Sequence, residues 1–352
     1  MRDAARTVSD PLRGIGSTFP SERGHPSPGT PSWLGLESAR LVQSGGQALR
    51  LVSERLWSEG RRQLVLPAYL CESMITPFGS RPWDVAFFEV DRRIRPSLPS
   101  FLAAVQKPNS AVLLVAEYFG RQLPADWKRS IENMKADGLA VIEDRTHNIF
   151  EASTSPADFV IASLRKLLPL GDGGLVIGGS WTDQGGEEAG PGDIYWRAMD
   201  LKASASDSDQ LAEANQGFGE AERRFETELE PARATTRTIE TIPKLNFDSM
   251  VKARTANART LGAHLSDFEV VNSDWSVAPS HLVIRVPSPR RLQAELAERG
   301  IFCPIHWPRP HQVPEQFAWF DDLISLPIDH RYGQQDMEFI ATTLENLETK
   351  HG

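Results

Sequence analysis

Cysteine is almost absent from this chain. Cys71 and Cys303 stand far apart in 352 residues, so no disulfide framework and no cysteine-based metal site is encoded. Reduced thiols in a cytoplasmic protein are the expectation. No apolar run approaches the roughly 20 residues of a membrane-spanning helix. Basic residues are the minority: 38 Lys and Arg against 47 Asp and Glu, a formal charge of −9. That balance argues against a nucleic-acid partner, which would meet a basic face. Also missing are a Gly-x-Ser-x-Gly elbow and a Walker lysine motif. His306 and His311 are the nearest approach to a metal spacing, and prolines separate them. No internal repeat is visible.

What is present is an ordinary globular composition, 40% hydrophobic and 24% charged. The length exceeds one typical core, so a large domain and a smaller one are expected. Residues 1–32, rich in Pro, Gly, Ser and Arg, read as a flexible leader, with order beginning near Trp33. They lack the apolar core of a secretory signal, and Asp3, Asp10 and Glu22 count against an organelle transit peptide. Residues 33–230 should form a large α/β domain. Residues 231–352 should supply a connecting helix and a small C-terminal α+β domain.

Apolar spacing predicts a helix over 36–56, with Ser44-Gly45-Gly46 at its entry or punctuating it. Short apolar runs at 63–67, 85–90, 111–115, 139–142, 159–162 and 175–179 predict buried strands. Helical stretches at 73–78, 98–106 and 125–137 lie between them. Such alternation implies a mostly parallel sheet, and ligands of such sheets bind at the carboxyl ends of the strands. Residues 180–216, rich in Gly, Ser and acids, predict a loop with an irregular helix. Residues 221–265 look helical and charged, interrupted by Pro231 and Pro243. Beyond them come a strand at 282–286, a helix at 289–299, an apolar segment at 301–305 and an amphipathic helix at 336–350.

The run at 139–142 ends in Glu143-Asp144, and the run at 159–162 leads into Ser163-Leu164-Arg165-Lys166. A carboxylate at one strand end and a lysine in a turn after the next suit pyridoxal phosphate (PLP). The lysine holds the aldehyde as a Schiff base, and the carboxylate keeps the pyridine nitrogen protonated. Most lysines are solvated surface charges; what singles out Lys166 is its place between two apolar runs and before Gly171-Asp172-Gly173-Gly174. Arg165 would lower the pKa of Lys166 by like-charge repulsion, and Arg165 and Ser163 offer donors to phosphate. Ser44-Gly45-Gly46-Gln47-Ala48 offers backbone N–H groups to the same anion if it opens a helix.

His147 is a candidate to stack near the ring or bond its hydroxyl. Tyr69 is a candidate to stack on the ring, with Cys71 the alternative for that position. Tyr118 also falls just past a strand end. His306-Trp307-Pro308 and Asp329-His330-Arg331-Tyr332 could reach over the cleft to select substrate.

Taken together, these segments resemble the DegT/StrS-type aminotransferases, fold type I PLP enzymes known for aminating keto sugars on nucleotide carriers. The likeness rests on Ser44 to Ala48, Leu66-Pro67-Ala68-Tyr69, Glu117-Tyr118-Phe119-Gly120, Val141-Ile142-Glu143-Asp144 and Ser163 through Gly174, with weaker echoes at Gly300-Ile301 and Leu326-Pro327. It implies that Lys166 carries the cofactor and Asp144 pairs with the pyridine nitrogen. It implies further that Gly46 and Gln47 give backbone donors and Ser163 its hydroxyl to the phosphate. His147 stands where the family has a glutamine. The serine lies closer to the lysine than in the family motif, and the threonine of the phosphate loop is missing. Asn246 is the candidate for the asparagine that a neighbouring subunit supplies. The segment 180–230 is unlike sugar-binding members.

The resemblance implies a homodimer with sites at the subunit interface. It implies transfer of an amino group, plausibly from glutamate or glutamine, to a keto group of a small molecule such as a nucleotide-linked sugar or a natural-product intermediate. Rival readings are dehydration, elimination or cyclisation on the same scaffold, and a non-catalytic PLP-fold binding protein.

Overall fold

The computed structural model describes residues 14–22, 39–151, 155–181, 190–275 and 277–348. Trp33 and the rest of 23–38 lie outside them. The main sheet starts at β1 (Arg40–Val42), and the chain turns at Ser44 into α1 (Gly45–Ser58). The helix expected over 36–56 therefore starts late. Leu41 is a strand residue paired with Leu175, and the serine-glycine break sets the helix start. There follow β2 (Gln63–Pro67), β3 (Asp84–Phe88), α2 (Leu98–Ala104), β4 (Ala111–Ala116) and α3 (Ala125–Ala136). Next come β5 (Ala140–Asp144), β6 (Phe159–Ser163) and β7 (Gly174–Ile177). The helix expected at 73–78 is instead two single 3-10 turns, Glu72–Met74 and Thr76–Phe78. Pro77 has no N–H to continue an α-helical ladder.

The strands lie in the order β1-β7-β6-β5-β4-β2-β3. β2 through β6 run parallel, whereas β7 is antiparallel to both β6 and β1. Both faces are covered, so the central strands read as unbroken apolar runs. Alternation still sorts the side chains. Leu64, Leu66, Val112, Leu114, Ile142 and Ile161 pack with Leu49, Val52 and Leu56 of α1. Val65, Leu113, Val115 and Val141 pack with Phe101 of α2 and with Trp127 and Ile131 of α3. Asp144 and Ser163 continue the first series by the two-residue period, so they fall on the face of α1. Glu143 falls on the other face.

The segment expected to be a loop with an irregular helix holds two regular helices, α4 (Pro191–Ser204) and α5 (Ser208–Thr227). Its acids and glycines mask a buried stripe of Ala214, Phe218, Ala221 and Phe225. The charged stretch that follows is divided by Pro231 and Pro243 into α6 (Thr236–Thr241) and α7 (Phe247–Ala263). Beyond it lie β8 (His281–Arg285), α8 (Pro289–Ala297), β9 (Leu323–Pro327) and α9 (Gln334–Glu348). The antiparallel pair β8–β9 buries Leu282, Ile284, Ile324 and Leu326 against α7, α8 and α9. The apolar segment 301–305 forms no strand; Pro304 has no N–H to donate, and its carbonyl accepts from Ser325 at 3.0 Å.

Part of the supposed flexible leader is docked. Ile15 bridges Ile301, the Phe302 N–H donates to the Ile15 carbonyl at 2.7 Å, and Phe19 stacks on His330. Arg331 donates to the Ser17 and Thr18 carbonyls, and Lys202 of α4 also donates to Thr18. Two apolar anchors, Ile15 and Phe19, make this polar segment adhere.

Candidate active site

The carboxyl ends of β4, β5 and β6 open into a cavity of about 380 Å³. Its walls include Ser44, Gly45, Gly46, Asp144, Ser163 and Lys166. Each is placed for a local reason. Asp144 is the last residue of β5, opposite Ile161 of β6. Its carboxylate accepts the Thr146 N–H at 2.8 Å. Burial pushes the Asp144 carboxyl up from its ordinary range, and bonds from Thr146 and the charge of Lys166 only partly offset this. Ser163 ends β6, and its N–H donates to the Thr146 hydroxyl at 3.0 Å. One short side chain thus ties the two strand ends together. Lys166 closes a single 3-10 turn, Leu164–Lys166, and is exposed.

The glycine run after Lys166 has a geometric duty. Gly173 has φ +124, and a Cβ on Gly174 would stand 2.0 Å from the Ser44 carbonyl oxygen. Only glycine lets β7 pass this close to the start of α1. Asp172 accepts from Thr235 N–H at 2.7 Å and from its hydroxyl at 2.9 Å, which holds the turn from below.

At the start of α1 the N-cap divides the donors. The Gln47 N–H is taken by the Ser44 hydroxyl and the Ala48 N–H by the Ser44 carbonyl. Among the described residues no acceptor meets the N–H of Gly45 or Gly46, and both glycines line the cavity. Two unpaired N–H groups at a helix start make a place for an anion. Gln47 is therefore misassigned as a phosphate donor. Its side chain accepts from Gln43 and Ala232, each at 3.1 Å, and donates to the Glu228 carbonyl at 3.0 Å. It clamps the end of α5 to α1.

Tyr69 is the second correction. It is fully buried among Tyr118, Trp307, Trp319 and Phe320, and its hydroxyl donates to the His306 carbonyl. Burial raises its pKa. The cavity wall at this point is Cys71, with Tyr118 beside it. Asn246 caps α7 through the Ser249 N–H at 3.0 Å.

His147 does reach the cavity. Its ring packs against Phe119, centroids 4.9 Å apart, and Trp307, 5.5 Å apart, which also pack on each other at 6.1 Å. The His306 ring stands 5.2 Å from it edge-on, and His281 lies 5.2 Å from His306. Burial lowers the pKa of all three, and they also repel one another and feel Lys166. They are neutral imidazoles at neutral pH. Trp307 lines the cavity, as expected of that segment, whereas Arg331 is held by Asp329 and by residues 17–18 instead.

Arg165 is not a free neighbour for Lys166. Its guanidinium grips both carboxylate oxygens of Glu222 on α5 and lies over the Phe225 ring, 4.4 Å from its centroid. Burial pushes Glu222 up, but Arg165 outweighs it and holds the carboxyl below its usual range. Glu222, Phe225 and Glu226 of α5, with Leu229 just past its end, complete the cavity from a helix that gave no sign of function in the sequence. Thr146, two residues after Asp144, was equally silent.

Comparison with solved structures agrees with this arrangement. Spr1654 of Streptococcus pneumoniae, described as a sugar aminotransferase, superimposes in its apo form with a TM-score of 0.64 at 14% identity, over 97% of this chain and 94% of that one. This is the fold of the sugar aminotransferases. TlmJ, an aminotransferase of Streptoalloteichus hindustanus, matches at TM-score 0.62 and 15% identity, over 96% of this chain and 100% of that one. A DegT DnrJ EryC1 StrS aminotransferase of Brucella abortus matches at 0.59 and 16%, over 90% and 87%. Spr1654 has also been solved in PLP and PMP forms. No protein-family model and no curated protein sequence matches the chain. The fold type I architecture expected from the sequence is thus the one found. Among the described residues no helix is long and apolar enough to cross a membrane, and no group of His, Cys, Asp or Glu is arranged to hold a metal.

Proposed function

We propose that this chain is a PLP-dependent aminotransferase that moves an amino group from an amino acid to a keto group of a small, sugar-like acceptor. The observation that carries the proposal is one cavity holding an exposed lysine, a buried carboxylate and two unpaired helix-start N–H groups. This donor set fits the cofactor. Gly45, Gly46 and the Ser163 hydroxyl would hold the phosphate, Asp144 would face the pyridine nitrogen, and Lys166 would bind the aldehyde. Bound there, PLP supplies the carbonyl that takes up the donor's amino group and a protonated ring that absorbs the electron pair left on carbon.

The chain's own residues do the rest. Lys166 would act as the general base for the proton on the substrate carbon and as the general acid that gives it up again. Asp144, buried from water, would favour the protonated ring nitrogen and so help the site accept negative charge. His147, neutral and packed against aromatic rings, lines the cavity and can hydrogen-bond without adding charge.

Support for an acceptor of sugar type comes from Spr1654 and from CalS13 of Micromonospora echinospora, both described as sugar aminotransferases. We further propose a homodimer with sites near the subunit interface, a cytoplasmic location, and the division at residue 230 between a large and a small domain. The test is spectroscopic. Purified protein should gain visible absorbance with PLP, borohydride should fix the cofactor on Lys166 in one sample, and in a separate unreduced sample glutamate should convert the cofactor to pyridoxamine phosphate with release of the keto acid. A protein that fixes PLP but never forms the pyridoxamine would be some other PLP enzyme.

A further inference from the structure

Arg254 of α7 is among the largest fully enclosed side chains of the molecule, only 1% exposed. Burying a guanidinium is costly unless its donors are met. Among the described residues no carboxylate lies within ion-pair distance of Arg254; Asp329, the acid whose field it feels most, is gripped by Arg331. Instead it donates to two carbonyls. One Nη reaches Leu167 at 3.1 Å and the other reaches Ser280 at 3.2 Å, while the Phe150 ring lies beneath, 5.4 Å from the guanidinium carbon. Burial lowers its pKa to about 10, which leaves it charged at neutral pH.

A leucine or methionine would fill this volume without burying charge. What arginine adds is a planar fork that spans two acceptors on separate elements. The two acceptors are not arbitrary. Leu167 directly follows Lys166, and its N–H closes the 3-10 turn onto the Leu164 carbonyl. Ser280 directly precedes His281, first residue of β8 and neighbour of the imidazoles behind the cavity. On its other side the same turn is held by the Leu164 N–H, which donates to the Gly173 carbonyl at 2.8 Å. Arg254 is the side-chain tie between the turn that carries Lys166 and the C-terminal part of the chain.

We propose that Arg254 is a positioning residue for Lys166: its buried guanidinium fixes the backbone of the lysine's turn against the start of β8, so that the amine is delivered at one place in the cavity. The proposal rests on the reading of Lys166 as the reacting lysine. Lys166 is exposed and long, so its reach is set by where the turn holds its Cα. A misplacement of about 1 Å can cost roughly 10²-fold in rate.

The experiment compares wild type, Arg254→Met and Arg254→Lys. Amide hydrogen exchange is followed in the cofactor-free protein, and single-turnover formation of pyridoxamine phosphate from glutamate in the PLP-loaded one. The expectation for Arg254→Met is exchange at Lys166 to Leu168 faster by about tenfold or more with α9 unchanged, and a turnover rate lower by roughly 10²-fold at nearly unchanged half-saturation. Arg254→Lys, which keeps the charge but loses the fork, should recover only part of each. It also serves if the methionine variant does not fold. Exchange and turnover at wild-type rates in whichever variant folds would overturn the proposal, since the side chain would then only fill space. If wild type forms no pyridoxamine, the aminotransferase reading fails on its own, and the exchange data still decide whether Arg254 holds the turn.

Discussion

The N–H of Ser163 donates to the hydroxyl of Thr146 at 3.0 Å, joining the strand end that precedes Lys166 to the one that carries Asp144. Thr146 also gives its own N–H to the Asp144 carboxylate at 2.8 Å. Thr146→Val keeps the shape and the second bond but leaves the Ser163 N–H without its acceptor. The variant should lose about 1–3 kcal/mol of stability, read by urea unfolding. It should also retain less PLP under dialysis, because Ser163 and Asp144 no longer share a fixed spacing. Wild-type values for both would remove Thr146 from the site.

Lys166→Ala should abolish the borohydride-stable PLP adduct while leaving the fold intact, since the lysine side chain is exposed. Asp144→Asn keeps the size of the side chain but loses its charge. It should bind PLP and lower turnover by roughly 10²–10⁴-fold, the range of a misassigned proton in such sites. Measured turnover in the asparagine variant within a few-fold of wild type would show that another group faces the ring nitrogen.

The three imidazoles make the fold sensitive to acid. Burial drives His281 from an ordinary 6.5 to about 3, and it is the first cause of the lowered values of His147 and His306 as well. Facing this group are Lys166, Arg254 and Asp329; the two cations favour the neutral rings, and Asp329 opposes them at His281. The unfolded chain therefore binds more protons than the native one below about pH 6.5, so stability is lost as pH falls through that value. His281→Gln should flatten the decline between neutral pH and about pH 5, measured by urea unfolding, relative to wild type. An equal slope in the two proteins would assign the acid sensitivity elsewhere.

Gln47→Ala tests a residue removed from the phosphate site. It strips acceptors from Gln43 and Ala232 and a donor from Glu228, so a loss of about 2–4 kcal/mol is expected in thermal or urea unfolding. The PLP affinity of the folded variant should change by less than about threefold, because no Gln47 atom is offered to the cavity. A large loss of affinity at unchanged stability would place the Gln47 side chain at the cofactor.

Parts of this architecture could be read directly from the chain because they are local. Short apolar runs marked the parallel strands, and the position of Asp144 and Lys166 at successive strand ends predicted a shared cavity. What could not be read depends on partners distant in sequence. Tyr69 and Cys71 are two residues apart, and only the packing of Trp307, Trp319 and Phe320 decides which of them is buried. Gln47 looked free beside two glycines until the end of α5 arrived to occupy its amide. Helix α5 itself was hidden because its exposed acids dominate the composition while its buried stripe is mostly alanine and phenylalanine.

The docked segment at 14–22 has a consequence for the order of synthesis. Ile15 and Phe19 leave the ribosome well before Ile301, Phe302, His330 and Arg331, which receive them. Until those residues are made, these two apolar side chains have no native place to go. Their docking can follow only once those partners exist, and it ties the segment at 14–22 to residues far along the chain.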